Sequence, residues 1–394
     1  MLTLITVLSL LCPIYCHVCD VMDMGASGEG NRLDDEAFQL AFDKCSGGQI
    51  YVPSGVYLLS PFNLTSNTEL YLDYGATLLA TTNFSAWPIV EPLPSYPDTY
   101  NGGRCGPFIG GTDIVNASIR GHGTIDGQGA AWWQAESGSL PYGRGRLIEP
   151  MFCRNFTLLG VTVANPPFWG VHPYACDGVL IDNVIFKAPV GSPNTDGIDP
   201  DSCSNVVIRN LTASCGDDAI AIKSGRDQYG REFNMPSYNI LIEGGSIGSS
   251  RGIDIGSEMS GDVYNVRVKD VSFTRSEFAV RIKSARGRGG RVHNITFENL
   301  SLDHNVHGIA INMNYGSNDP SPPLDEATPH VYDITYRNIT GTALNAGFFE
   351  GLTESACHNI VLENVNISAR RFECYRAYGH AVNVSPESCL LERN

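Results

Sequence analysis

One short phrase, alternating apolar and polar residues behind an Asn or Asp, returns along most of this chain. It reads NASIRGHGTI from Asn116, NFTLLGVTV from Asn155, GVLIDNVIF from Gly178, NVVIRNLTA from Asn205 and NILIEGGSI from Asn239. It continues as NVRVKDVSF from Asn265, NITFENLSL from Asn294, DITYRNITG from Asp333 and NIVLENVNI from Asn359. The spacing varies between 23 residues (Asn155 to Gly178) and 39 (Asn116 to Asn155), which means a constant strand and variable loops. A period-two strand has one apolar face, and a lone copy has nothing to bury it against. Stacking the copies supplies that partner. The expected fold is all-β: a single-domain right-handed parallel β-helix, with coils pairing strand to strand and Asn residues laddered at repeated turns. A propeller is the competitor, but its blades are larger and more constant in length. The amphipathic stretch DDEAFQLAFDKC from Asp34 is expected to be a helix capping the N-terminal end of the stack.

A second phrase, aligned on a small residue followed by an apolar one, lets the repeats be read as columns. Its rows are FWGVHPY from Phe168, TDGIDPD from Thr195, DDAIAIK from Asp217, SRGIDIG from Ser250, EFAVRIK from Glu277 and VHGIAIN from Val306. Before the small residue stand Trp169, Asp196, Asp218, Arg251, Phe278 and His307. Two places after it stand His172, Asp199, Ala221, Asp254, Arg281 and Ala310. Four places after it come Tyr174, Asp201, Lys223, Gly256, Lys283 and Asn312. Residues sharing a column lie about 4.8 Å apart on neighbouring coils. One patch therefore gathers Asp196, Asp199, Asp217, Asp218, Lys223, Arg251, Arg281 and Lys283.

Crowded carboxylates cannot all ionise comfortably, so at least one is pushed up and stays a proton donor in mildly acidic solution. Hydrolysis of a glycosidic bond needs that arrangement: one carboxylic acid to protonate the leaving oxygen, another carboxylate to activate water. The segment RIKSARGRGGR is the one dense basic stretch in a chain of formal net charge −16. It would bind an anionic substrate locally, against long-range repulsion from the rest of the protein. That net charge excludes nucleic-acid and anionic-membrane partners, which demand a broad positive footprint. Trp169 and His172 in PPFWGVHPY are read as substrate contacts. GHG at Gly121 to Gly123 is read as a tight turn. Among the ten cysteines beyond the first sixteen residues no CxxC pair has zinc-like spacing, and we expect neither metal nor cofactor.

The first sixteen residues, MLTLITVLSLLCPIYC, read as a secretory signal without a basic start, leaving residues 17–394 as the β-helix domain. Ten cysteines and ten Asn-x-Ser/Thr sequons remain, at Asn63, Asn83, Asn116, Asn155, Asn210, Asn294, Asn299, Asn338, Asn366 and Asn383. Together they indicate a secreted, oxidised, extracellular or cell-wall protein. Disulfides are expected at Cys19–Cys45, Cys203–Cys215 and Cys374–Cys389, although spacing alone leaves connectivity open.

NTDG at Asn194 to Gly197, CGDD at Cys215 to Asp218 and RIK at Arg281 to Lys283 resemble three of the four signature motifs of the polygalacturonases, family 28 of the glycoside hydrolases. The resemblance runs from CDVMDMGASGEGNRLDDEAF through GTIDGQGAAWW to the last cysteines. It implies a secreted, monomeric, metal-free enzyme that hydrolyses α-1,4-linked galacturonan in pectin with inversion. Asp217 would be the general acid, Asp196 and Asp218 would activate water, and Arg281 and Lys283 would hold the substrate carboxylate. Arg251, Lys223, Asp199, His172 and Asn194 complete the expected substrate-binding set. The fourth motif, Gly-His-Gly, aligns with Ser250-Arg251-Gly252, so Arg251 replaces the His that helps tune the acid. GIDIGSEMSG resembles a plant-like and bacterial branch often described as exo-acting. Insertions from Asn83 to Arg104 and from Ala130 to Arg146, rich in Trp, Tyr or Pro, could close one end of the groove. Rival readings are a rhamnogalacturonan or xylogalacturonan hydrolase, a pectate lyase, and a non-catalytic wall-binding β-helix.

Overall fold

A computed structural model describes residues 17–97, 102–135, 140–316 and 327–392. The expected signal segment, residues 1–16, lies outside them. The chain winds as a right-handed parallel β-helix. From Arg154–Leu159 the coils pair in order with Asp177–Asp182, Ser204–Ser214, Ser237–Ile247, Val263–Lys269, Arg291–Asn312, His330–Glu350, Cys357–Tyr375 and Ala377–Ser385. The phrase explains the core. Phe156, Val179, Val206, Ile240, Val266, Ile295, Ile334 and Ile360 occupy one register, and all are buried inside the coil. A single coil would leave each of these side chains wet, forfeiting about 1.5–3 kcal/mol apiece.

The Asn residues heading the phrase sit at the corners with φ near +55°. That left-handed conformation is costly for most L-residues, and Asn tolerates it. The corner amides then ladder: Asn155 donates to Asn116 at 3.0 Å, Asn239 to Asn205 at 3.1 Å and Asn265 to Asn239 at 2.5 Å. A second ladder runs through Asn299, Asn338, Asn364 and Asn383. Where the first ladder lacks an Asn, Gly178 takes the left-handed corner at φ +78°, and the neighbouring Asp177 carboxylate accepts from Asn205 at 2.6 Å.

The helix Asp35–Lys44 closes the N-terminal end, burying Ala37, Phe38, Ala41 and Phe42. Phe38 meets Tyr57 edge-on at 5.7 Å between centroids. No helix of the described residues is long and apolar enough to cross a membrane.

Cys19–Cys45 and Cys374–Cys389 are disulfides, with Cα separations of 6.0 and 5.6 Å. The expected Cys203–Cys215 bridge is not made. The strand Ser204–Ser214 separates the two residues, and at about 3.3 Å per residue it carries them to opposite ends of one coil. Each thiol has local work instead. Cys203 Sγ accepts the Cys176 amide at 3.4 Å, and Cys215 Sγ donates to the Asp217 carbonyl at 3.2 Å.

Asn265 both adopts the corner conformation and links two coils, so Asn265→Ala should cost about 2 kcal/mol of unfolding free energy in urea titration. Asn265→Gly keeps the corner and loses only the ladder, so it should cost about half as much. Equal losses would show that the conformational part of this account is wrong.

Candidate active site

The site is built on one inward column and the polar residues flanking it. Val171, Ile198, Ile220, Ile253, Val280 and Ile309 pair coil to coil and fill the interior. The next residue on each coil must face the opposite way. The columns read from sequence are therefore present: Ala221, Asp254, Arg281 and Ala310 are successive partners, as are Tyr174, Asp201 and Lys223.

Asp196, Asp217 and Asp218 converge, each offering an oxygen within 4.8 Å of the others. All three are buried. Arg281 and Lys283 hold Asp218, the lysine through a short contact and the guanidinium at 3.5 Å. Arg251 reaches Asp217 at 3.2 Å with a side chain 41 % exposed. Burial pushes Asp217 up, the neighbouring Asp218 charge adds to this, and Arg251, Lys283 and Lys223 only partly offset it. Burial also opposes ionisation of Asp218, but Lys283, Arg281 and Lys223 outweigh it and its pKa is lowered. Adjacent carboxyls are thus split into one that keeps a proton and one that has lost it. Asp196 is pushed well above the usual carboxylate range by burial and by the charge of Asp199. Three carboxylate oxygens at this spacing could attract a hard cation. Here Arg251, Arg281 and Lys283 already supply the positive charge, so the donor set suits proton transfer better.

The other expected residues fall in different places. Lys223 is buried, 3.7 Å from Asp199 and 3.3 Å from Glu258, with its ammonium 4.4 Å from the Trp169 ring centre. Asn194 lies on the rim, its side-chain oxygen accepting from Arg144 at 2.8 Å. Asp199 is wholly covered; burial raises it to about 7 against the pull of Lys223 and His172. Its charge in turn helps to raise both Asp196 and Lys223. His172 must be corrected. It is completely buried, with Nδ1 2.8 Å from Glu149 and Nε2 3.3 Å from Asp201, so neither nitrogen is available to substrate.

That histidine belongs to a buried chain of polar groups that sequence reasoning missed. Arg104 binds Glu149 at 2.6 Å, and the Tyr96 hydroxyl donates to Asp201 at 2.5 Å. Residues 98–101 and 136–139 of the two insertions lie outside the described residues. The rest of both insertions docks on the coils just before the carboxylates. Ser95 bonds the Tyr174 hydroxyl at 2.8 Å, Trp132 packs edge-on against Trp87, and Arg146 lies 5.1 Å from the Trp169 ring centre. Tyr315 was also missed; its ring faces Lys283 at 5.4 Å and Arg281 at 5.6 Å. As a single residue beyond the last aligned row, it had no column to place it. Glu149 precedes the first row and had none either.

The family described as Glycosyl hydrolases family 28 matches residues 44–385. The chain belongs to this family. It is 37% identical to a probable polygalacturonase of Vitis vinifera over 392 residues, covering 95% of this chain and 80% of that protein. An exopolygalacturonase of Zea mays is 30% identical, covering 88% and 83%. Among solved structures, an exopolygalacturonase from Thermotoga maritima superposes with a TM-score of 0.84 at 28% identity, covering 94% of this chain and 91% of that one. This family 28 member is accordingly a glycoside hydrolase.

The buried chain gives this family 28 protein a pH signature. Burial disfavours the His172 imidazolium, but hydrogen bonds to Asp201 and Glu149 outweigh it and raise its pKa. Glu149 is held down to about 2, burial being overcome by Arg104 and Arg146. The His172 contribution is complete below the unfolded value of about 6.5 and is lost as pH rises through the folded one. The Glu149 contribution is complete above about 4.3 and is lost as pH falls towards its folded value. His172→Ala should therefore lower the unfolding free energy in urea by about 3–5 kcal/mol between about pH 4.5 and 6.5, because it takes a shared charged donor from two buried carboxylates. The difference from the unmodified protein should shrink as pH rises through the folded His172 value. A difference that stays constant into the alkaline range would refute this account.

Proposed function

We propose that the protein is a secreted, inverting polygalacturonase that releases galacturonate from chain ends of pectin. The observation that carries this reading is the split pair: Asp217 raised, Asp218 lowered, with Arg281 and Lys283 beside them. Asp217 protonates the leaving glycosidic oxygen. Asp218, ionised, takes a proton from water, and Asp196 orients that water through its other oxygen. Arg281, Lys283, Arg251 and Lys223 supply charge for the uronate carboxylates, which explains a cationic pocket in so acidic a chain.

Two features bear on the course of the reaction. Oxygens within 4.8 Å are closer than the roughly 6.5–9.5 Å between carboxyls that accompanies inversion. A carboxylate clamped by two cations is a weak nucleophile, however, and two carboxyls flanking a water differ from one attacking the sugar. Inversion follows from that. Exo-action is supported by the insertions, whose Tyr96, Arg144 and Arg146 pack on Phe168 and Trp169 of the coil before Asp196. Arg251 and Lys223 then meet a terminal uronate.

Asp217→Asn should lower turnover on homogalacturonan by at least a hundredfold with folding retained. Near-normal turnover in that variant would remove Asp217 from the mechanism. With the unmodified protein, proton NMR of the first product should show the β-anomer, and viscosity should fall slowly while monogalacturonate accumulates. Net retention, or an early viscosity collapse with mixed oligomers, would overturn the inverting or the exo assignment respectively. Release from rhamnogalacturonan alone would reassign the substrate.

A further inference from the structure

Asp254 has no part in the reaction as just described, yet it sits beneath two of the residues that do. The register puts it opposite Ala221 on one coil and Arg281 on the next. Ala221 offers it nothing polar. Its Oδ2 instead takes Arg281 Nε at 2.8 Å, Arg281 Nη2 in a short contact and Lys283 Nζ at 3.0 Å. Its Oδ1 is buried without a hydrogen-bond partner among the described residues. A carboxylate placed for stability alone would be expected to satisfy both oxygens, since an orphaned one is costly. This one concentrates on a single pair of cations.

The same two cations hold Asp218 from the other side. Arg281, Lys283, Asp218 and Asp254 thus form a buried quartet of zero net charge. The groups facing it are few. Asp218 comes from the turn before Ile220–Ile222, both cations from Phe278–Lys283, and the Tyr315 ring covers the cations. Lys223 and Glu258 lie near enough to influence Lys283, and Arg288 influences Glu258 in turn. We propose that Asp254 is a positioning residue: it fixes Arg281 and Lys283 against Asp218 and thereby sets the alkaline end of the pH range over which Asp217 keeps its proton as the acid. The inference rests on the hydrolase mechanism above.

Burial raises Asp254 to about 6, with Arg281 pulling against it, so it is neutral where Asp218 titrates and charged on the alkaline side of the working range. Replacing it by Asn keeps the size and an acceptor but removes that charge. On the alkaline side Asp217 then loses a nearby negative charge and releases its proton at lower pH. A charge a few ångströms away in a partly screened interior is worth about one pKa unit or more.

The test is the pH dependence of kcat and KM on homogalacturonan for the full chain, Asp254→Asn and Asp254→Ser, the second guarding against a folding failure of the first. The alkaline limb of the bell should move to lower pH by about one unit while the acid limb stays, with kcat at the original optimum down about tenfold and KM within about threefold. Carboxyl 13C titration of aspartate-labelled protein, free of substrate, should show the Asp217 value falling. An alkaline limb and an Asp217 titration that stay in place, with kcat reduced equally at every pH, would leave only a structural role and overturn the proposal. Unmodified protein that releases no sugar would refute the hydrolase reading instead, and the 13C titration would still decide the role of Asp254.

Discussion

In-register parallel pairing puts every residue about 4.8 Å from its counterpart on the next coil, and the rest of this molecule follows from that constraint. Identical apolar side chains tolerate such stacking because each buries the next. Asn tolerates it because an amide both donates and accepts, so a column of amides becomes a ladder. Like charges stack only at a cost. In the column Asp199, Ala221, Asp254, Arg281, Ala310, a charged residue is followed by one of opposite sign or by a small neutral one, whereas the column that carries the carboxylates sets Asp196 against Asp218 and its strain appears as a raised Asp196.

The alternation of faces explains how neighbouring carboxyls acquire opposite tendencies. Asp217 and Asp218 are adjacent in sequence and share one turn, so burial acts on both. What separates them is the column each side chain joins. Asp218 meets Lys283 and Arg281 from later coils, whereas Asp217 meets the half-exposed Arg251, whose charge is weakened by solvent. A difference of one residue in direction thus becomes a difference in protonation. The arrangement needs no distortion of the coil, only the alternation of faces that any strand provides.

The fold and the centre of the site were legible because both are periodic. Strand phrases can be counted, and the second phrase can be folded onto itself to predict which residues face one another; Asp254 opposite Arg281 is readable in that way. Aperiodic features were not. The pairing of Cys203 was misjudged because sequence proximity to Cys215 conceals the long strand between them. His172 stood in the right column, but nothing local reveals that Glu149 and Asp201 occupy both of its nitrogens. Glu149 itself, Tyr315 and the docking of Tyr96 come from turns and insertions, where no repeat constrains position.

The insertions matter because a β-helix by itself offers an open groove. Any coil can be extended along the axis, so the repeat contains no information about where a polymer should stop. Ending the groove requires residues from outside the repeat, and these must be anchored against a smooth wall. The buried chain from Arg104 through Glu149, His172 and Asp201 to Tyr96 provides the anchor. It ties Tyr96 and Arg104 of the first insertion to coils that also carry Trp169 and Asp199. Charged groups cannot be buried singly, so each member of the chain needs the next. The packed part of the first insertion is consequently fastened to the coil that carries Asp196 and Asp199 and to the two coils before it.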